Sequence, residues 1–322
     1  MSLIPATILT GFLGAGKTTL LNRILQEPHG FKIAVIENEF GPESIDNDIL
    51  VQDSKEQIIE MNNGCICCTV RGDLIVALNN LAQQRAAGLL QFDRVIIETT
   101  GLANPGPVAQ TFFMDDQVGA HYLLDAVVTV VDAKHAMQQL DAQEEAQRQV
   151  GFADRLLLSK TDLVSAKEIA ALTQRLKHIN PRAPILTLDF GRAPLDQVLD
   201  LRGFNLNDKL EIDPDFLKEE AHHHHDCDEH CDHDGHGHDH AHHHHAHHDD
   251  IAAFIFKSDR PFDSLKLDEF LGALVQVHGP AMLRYKGVLW MQGGERKVVF
   301  QGVHQMMGSD LGAKWRDDEV RG

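Results

Sequence analysis

The chain has 322 residues, of which 43% are hydrophobic, enough for a full-sized domain with a smaller one beside it. Its formal charge of −19 argues against nucleic acid or an anionic membrane as the main partner, and no apolar run approaches the roughly 20 residues that a bilayer crossing needs. Residues 1–5 lead straight into a strand without the charged start and cleavage site of a signal peptide. The expected location is therefore cytoplasmic, where five cysteines serve as ligands or free thiols rather than disulfides.

In chain order, apolar strands alternate with helical patterns. A strand over Ile4–Thr10 precedes a helix over Lys17–Gln26, then come a strand over Lys32–Asn38, a helix over Asp73–Ala86 and a strand over Arg94–Glu98. Strands over Ala126–Asp132 and Arg155–Leu158, a helix over Ala166–His178 and a strand over Ile185–Leu188 follow. Runs such as Ala126 to Val131 are apolar at every position, as expected of strands covered by helices on both faces of a parallel sheet. The pattern predicts an α/β fold with a P-loop and a doubly wound, mostly parallel sheet over residues 1–210. A smaller α+β domain is expected over 251–322, from strands at Ala252–Phe256, Leu283–Met291 and Lys297–Phe300 and a helix at Asp268–Val277.

Between the two lies a segment, 211–250, of different composition. Residues 219–250 hold ten Asp or Glu, no Lys or Arg, and fifteen of the 21 histidines, with Cys227 and Cys231 among them. Removing those ten charges from −19 leaves −9 on the remainder. So polar a stretch cannot bury enough surface to offset the entropy of ordering, and it predicts a disordered linker that gathers metal.

The sharpest chemical signal is Gly11-Phe12-Leu13-Gly14-Ala15-Gly16-Lys17-Thr18, which follows a predicted strand and opens a predicted helix. Backbone N–H groups around Gly11, Gly14, Ala15 and Gly16, continuing through Thr19, would surround the β- and γ-phosphates of a nucleotide. Lys17 would neutralise phosphate charge and the Thr18 hydroxyl would ligate Mg2+. Glu98, an acid ending an apolar strand, would hold Mg2+ directly or through water, and Gly101 would offer its N–H to the γ-phosphate. Lys17, Thr18 and Glu98 are thus the candidate catalytic residues. Ser159-Lys160-Thr161-Asp162 has the form associated with guanine, because the Asp162 carboxylate can accept from the ring N–H and the exocyclic amine together. Its position after the other two motifs favours GTP over ATP, with a P-loop kinase or ATPase as the rival.

Cys65, Cys67 and Cys68 lie between these phosphate-binding segments. They are too close for a two-knuckle zinc site, and no second Cys-x-x-Cys pair exists. Three thiolates at about 2.3 Å would leave the fourth position of Zn2+ for water, a carboxylate such as Glu37, or a client. An incomplete shell suits handover better than storage; redox sensing and plain packing are the competing readings.

Together these motifs, with Glu37-Asn38-Glu39-Phe40-Gly41 and Arg284-Tyr285-Lys286-Gly287-Val288-Leu289-Trp290, closely resemble the CobW-type GTPases, P-loop metal chaperones related to urease and hydrogenase maturation factors. The resemblance covers nearly the whole chain. It implies a GTPase that carries zinc, or sometimes cobalt or iron, to client metalloproteins, with GTP, Mg2+ and Zn2+ as its ligands and homo-oligomers allowed. Pro42 departs from the pattern, standing where many relatives carry an acid. A non-enzymatic metal buffer is the alternative function.

Overall fold

Strand β1 (Ile4–Gly11) is buried along nearly its whole length because both of its faces are covered. In the computed structural model, which describes residues 3–28, 30–37, 58–60, 68–203, 251–316 and 319, Ile4, Ala6 and Ile8 enter one core cluster and Leu9 a second. The same division runs through β2 (Ile33–Glu37) and β4 (Arg94–Glu98). Ala34, Ile36, Val95 and Ile97 join the first cluster, while Ile33, Val35 and Ile96 join the second. A strand serving two cores must be apolar at successive positions, which explains the continuous runs in the sequence.

These strands join β3 (Ile58–Glu60), β5 (Tyr122–Asp132), β6 (Arg155–Ser159) and β7 (Ile185–Thr187) in one sheet. Its order is β3-β2-β4-β1-β5-β6-β7 and every pairing is parallel. Helix α1 (Lys17–Gln26) covers the second cluster through Leu20, Leu21 and Ile24. Helices α2 (Cys68–Ala86) and α3 (Pro105–Met114) cover the first, with Leu74, Leu78, Val108 and Phe112. The short α4 (Asp116–His121) adds Val118 there. A third cluster lies under α5 (Ala136–Ala142), α6 (Glu144–Phe152) and α7 (Ala166–Ile179). Because β1 leads to α1 on one face and its neighbour β4 leads to α3 on the other, a crevice opens at the carboxyl edge between them.

After residue 251, helix α8 (Ser264–His278) precedes an antiparallel sheet of β8 (Arg284–Leu289), β9 (Arg296–Val303) and β10 (Met306–Lys314), in the order β10-β9-β8. This sheet is tied to the first. Arg284 meets Asp154 at 2.6 Å, both nearly fully buried, and Lys286 reaches the same carboxylate at 3.5 Å. Val303 completes the first core cluster, and the His304 ring packs edge-on against Phe152.

Two expectations are corrected. Residues 252–256 form no strand: Phe254 and Phe256 are exposed, and the parallel bridge on this side runs later in the chain, from Phe262 to Met291, just past the end of β8. Strand propensity without a partner edge does not make a strand. Helix α2 begins at Cys68 rather than Asp73, running through Gly72, since one glycine inside a helix costs only about 1 kcal/mol. The segment 38–42, Cys65, Cys67 and the tract 219–250 lie outside the described residues.

Candidate functional site

The glycine loop at the end of β1 is shaped by close backbone approaches. At Gly11, with φ +143°, a Cβ would sit 2.2 Å from the Val130 carbonyl oxygen of β5, so only glycine fits. Gly16 caps α1 at φ 100° and has no side chain to satisfy the N–H groups of the first helical turn. Those donors, at the positive end of the helix dipole, suit an anion. Lys17 bends back over the loop, its Nζ donating to Gly11 O at 2.9 Å and more weakly to Phe12 O at 3.4 Å. Burial pushes the Lys17 ammonium below its ordinary range, and the nearby Glu98 carboxylate opposes that shift. A triphosphate placed here would stabilise the charged form.

Glu98 ends β4 on the opposite side from Ile97, which faces the first cluster, and so turns toward α1. There the Thr18 hydroxyl donates to its Oε1 at 2.8 Å. A hydroxyl and a carboxylate meeting beside a phosphate loop form an oxygen donor pair suited to Mg2+, a hard cation. The next segment is pinned to the loop as well. Thr99 donates to Thr10 through their hydroxyls at 2.8 Å, its N–H donates to Leu9 O at 2.9 Å, and a Cβ on Gly101 would come within 2.6 Å of Leu13 N. The buried Thr100 hydroxyl has no hydrogen-bond partner among the described residues, leaving a free donor beside Glu98. The residues present therefore fit a magnesium-bound nucleotide.

The third motif is bonded to the first across 144 positions, with the Ser159 hydroxyl donating to Ala15 O at 2.6 Å. Lys160 adopts left-handed φ of 55° and its Nζ donates to Asp132 at 2.7 Å, which turns the chain into a short 3-10 segment, Thr161–Leu163. Asp162 lies exposed on that segment, open to a ligand. Ser159 and Lys160 thus position the loop, a part that four-residue pattern matching does not reveal.

Glu37, at the end of β2, is in register with Glu98 on one side and Glu60 of β3 on the other. Strand β3, which sets this register, was missed in the sequence because three residues carry too little periodicity. Of the cysteines, the backbone of Cys68 opens α2. Among the described residues, no three His, Cys, Asp or Glu converge as a metal cage. Among the helices described, none is long and apolar enough to cross a membrane.

Strand, glycine loop and helix in this order, with a threonine held against a strand-end carboxylate and the Ser159–Asp162 loop bonded to the glycine loop, define the P-loop GTPase class of fold. Comparison with known proteins makes the assignment specific. Residues 5–187 match the CobW/HypB/UreG nucleotide-binding domain and residues 251–322 the cobalamin synthesis protein cobW C-terminal domain. The chain belongs to the CobW/HypB/UreG family. It is 40% identical over 319 residues to the zinc chaperone YjiA of Escherichia coli, covering 99% of this chain and 92% of that one. It is also 40% identical over 208 residues to the zinc-regulated GTPase metalloprotein activator 1 of Schizosaccharomyces pombe, covering 62% of this chain and half of that protein. The crystal structure of Zn(II)-bound YjiA GTPase from E. coli superposes with a TM-score of 0.73 at 36% identity, covering 99% of this chain and 92% of that chain.

Proposed function

We propose that this protein is a Mg2+-dependent GTPase that binds Zn2+ at Cys65, Cys67 and Cys68 and passes it to client metalloproteins under control of the bound nucleotide. The observation that carries the enzymatic half is the Thr18–Glu98 contact at 2.8 Å, placed beside a loop whose lysine is already folded over it. Mg2+ would supply neutralisation of the phosphate charge. Thr18 and Glu98 would hold it. Backbone N–H groups from Gly14 to Thr19 would cradle the phosphates, Lys17 would bridge them, and the Gly101 N–H would sense the γ-phosphate. Asp162 would read the guanine edge, on a loop positioned by Ser159 and Lys160.

The zinc half rests on the cysteine motif and on similarity to proteins named as zinc chaperones. Glu37 lies one strand from Glu98, so a metal ligand there would share a sheet edge with the nucleotide site. Gly101 is held at its carbonyl by Gln149 Nε2 at 3.1 Å and packs on Leu13, so a γ-phosphate that moves one of these moves the others. The boundaries of this machine are residues 1–210 for nucleotide chemistry, 211–250 for metal gathering and 251–322 for the second unit, in the cytoplasm.

Coupled sites must alter each other's affinity reciprocally. Zn2+ affinity, measured by competition with a chelating dye, is expected to differ between protein loaded with a non-hydrolysable GTP analogue and protein loaded with GDP. Replacing Cys65, Cys67 and Cys68 together by alanine is expected to abolish that difference. Equal affinities in the two nucleotide states of the unaltered protein would leave a metal buffer and defeat the coupled model.

A further inference from the structure

Downstream of β7 the chain makes a two-residue hairpin. The Asp189 N–H donates to Arg192 O at 3.1 Å and the Arg192 N–H donates to Asp189 O at 2.9 Å. Both central residues are left-handed, Phe190 at φ 46° and Gly191 at φ 78°, the pattern of a type I′ turn. Glycine adopts it freely. A bulky aromatic residue does so at a cost, and Asn or Asp is the usual occupant of that first position. Burial does not offset the cost here, because Phe190 is 72% exposed and belongs to none of the three core clusters. A strained, exposed aromatic held by a well-bonded turn points to a ligand.

Its position says which one. The Leu188 N–H donates to Leu158 O at 2.7 Å, which sets the turn alongside Ser159 and the base-reading loop. On its other flank, a Cβ on Gly191 would come within 3.0 Å of the Thr19 methyl and 3.2 Å of Thr19 O, in the first turn of α1 beside Thr18. The turn therefore stands between the helix start that faces phosphates and the exposed carboxylate of Asp162. Asp162 can satisfy the edge of a base but not its faces. The Lys160 ammonium is held by Asp132, and its methylene stem can cover at most one face of a base.

We infer that Phe190 stacks on the guanine plane and forms one wall of the base site, an inference that rests on the guanine-nucleotide reading above. The ring would contribute affinity without selecting between bases, because every base has a π face. Selection would remain with Asp162.

Phe190→Gly separates the ring from the strain, since glycine accepts φ 46° and the turn is retained or improved. In calorimetric titrations with unlabelled GDP and inosine diphosphate, this variant is expected to bind both about tenfold more weakly, with their ratio unchanged. Its nucleotide-free melting temperature is expected to equal or exceed that of the unaltered protein, and Phe190→Tyr is expected to restore binding. Asp162→Ala, by contrast, is expected to lower the preference for GDP over inosine diphosphate. Undiminished GDP binding by Phe190→Gly, or a loss matched by a lower melting temperature, would overturn the stacking role. Failure of the unaltered protein to bind GDP would defeat the guanine reading itself and the inference with it.

Discussion

Asp132, at the end of β5, accepts from Lys160 Nζ at 2.7 Å, from His135 Nδ1 at 2.9 Å and from the Lys134 N–H at 2.9 Å. Burial alone would push this carboxyl up, but the donors outweigh burial and hold it below the usual carboxylate range. A depressed carboxylate contributes stability that is fully present above its unfolded value of about 3.8 and is lost as pH falls through the lower folded value. Asp132→Asn is therefore expected to cost about 1–2 kcal/mol at neutral pH, and the gap between variant and unaltered protein should close as pH drops below 3.8. Denaturant titrations over that range measure it. A gap that stays constant with pH would mean that shape, not charge, is what Asn disturbs. Since the same contact fixes the left-handed Lys160, the variant should also weaken guanine nucleotide binding.

Between elements, the decisive tie is the one that carries the second sheet. Asp154 stands just before β6, accepts from the Val127 N–H at 2.9 Å, and holds both Arg284 and Lys286 of β8. A buried carboxylate stripped of every cation costs about 3–5 kcal/mol, and without Arg284 the Asp154 charge keeps only Lys286 at 3.5 Å, so the loss falls at or below the lower end of that range. Arg284→Ala is expected to destabilise by that order, with amides of β8 and β9 losing hydrogen-exchange protection before those of β1 and β5. Equal loss of protection in both sheets would show a single cooperative unit instead. None of this tie was legible in the sequence, because it joins residues 130 positions apart. Strands β1, β2, β4, β5 and β6 were legible, since a doubly covered strand must be largely apolar, and the partly exposed edge strand β7 was legible from its short apolar run. Helix α3 was not: it opens with Pro105, Gly106 and Pro107, residues that signal a turn, yet Asn104 caps it by accepting from the Gly106 N–H. Helices α5 and α6 are rich in Ala and Gln and carry few large apolar residues to mark a face. In the site, Lys17, Thr18 and Glu98 were readable from spacing. The Ser159-Lys160-Thr161-Asp162 motif was readable as a guanine signature, whereas the bond from Ser159 to Ala15 depends on chain reversals that no local pattern encodes.

At the scale of the whole molecule, residues 203 and 251, the described residues that flank the acidic, histidine-rich segment, come to nearly the same place. Gly203 packs so tightly on Asp154 that a Cβ would lie 2.3 Å from its carboxylate, and Ile251 approaches Gly151 closely enough that a Cβ there would be 3.3 Å away. Residues 203 and 251 are therefore anchored about three positions apart, at the junction of α6 and β6. A connection between such neighbouring points needs little length, and loop-closure entropy changes slowly with the number of residues removed. Deleting residues 222–248, which leaves 204–221 and 249–250 to close that gap, is thus expected to preserve the fold and nearly all GTP turnover. It should also lower the number of Zn2+ ions bound per chain while sparing one tight site at the thiolates, because neutral imidazoles bind zinc and many weak sites raise its local concentration. Elemental analysis after equilibrium dialysis, run beside a phosphate-release assay, reads both quantities on the same preparation. Unchanged stoichiometry would reduce the tract to a spacer, and a collapse of turnover with the fold intact would place it in the catalytic machinery.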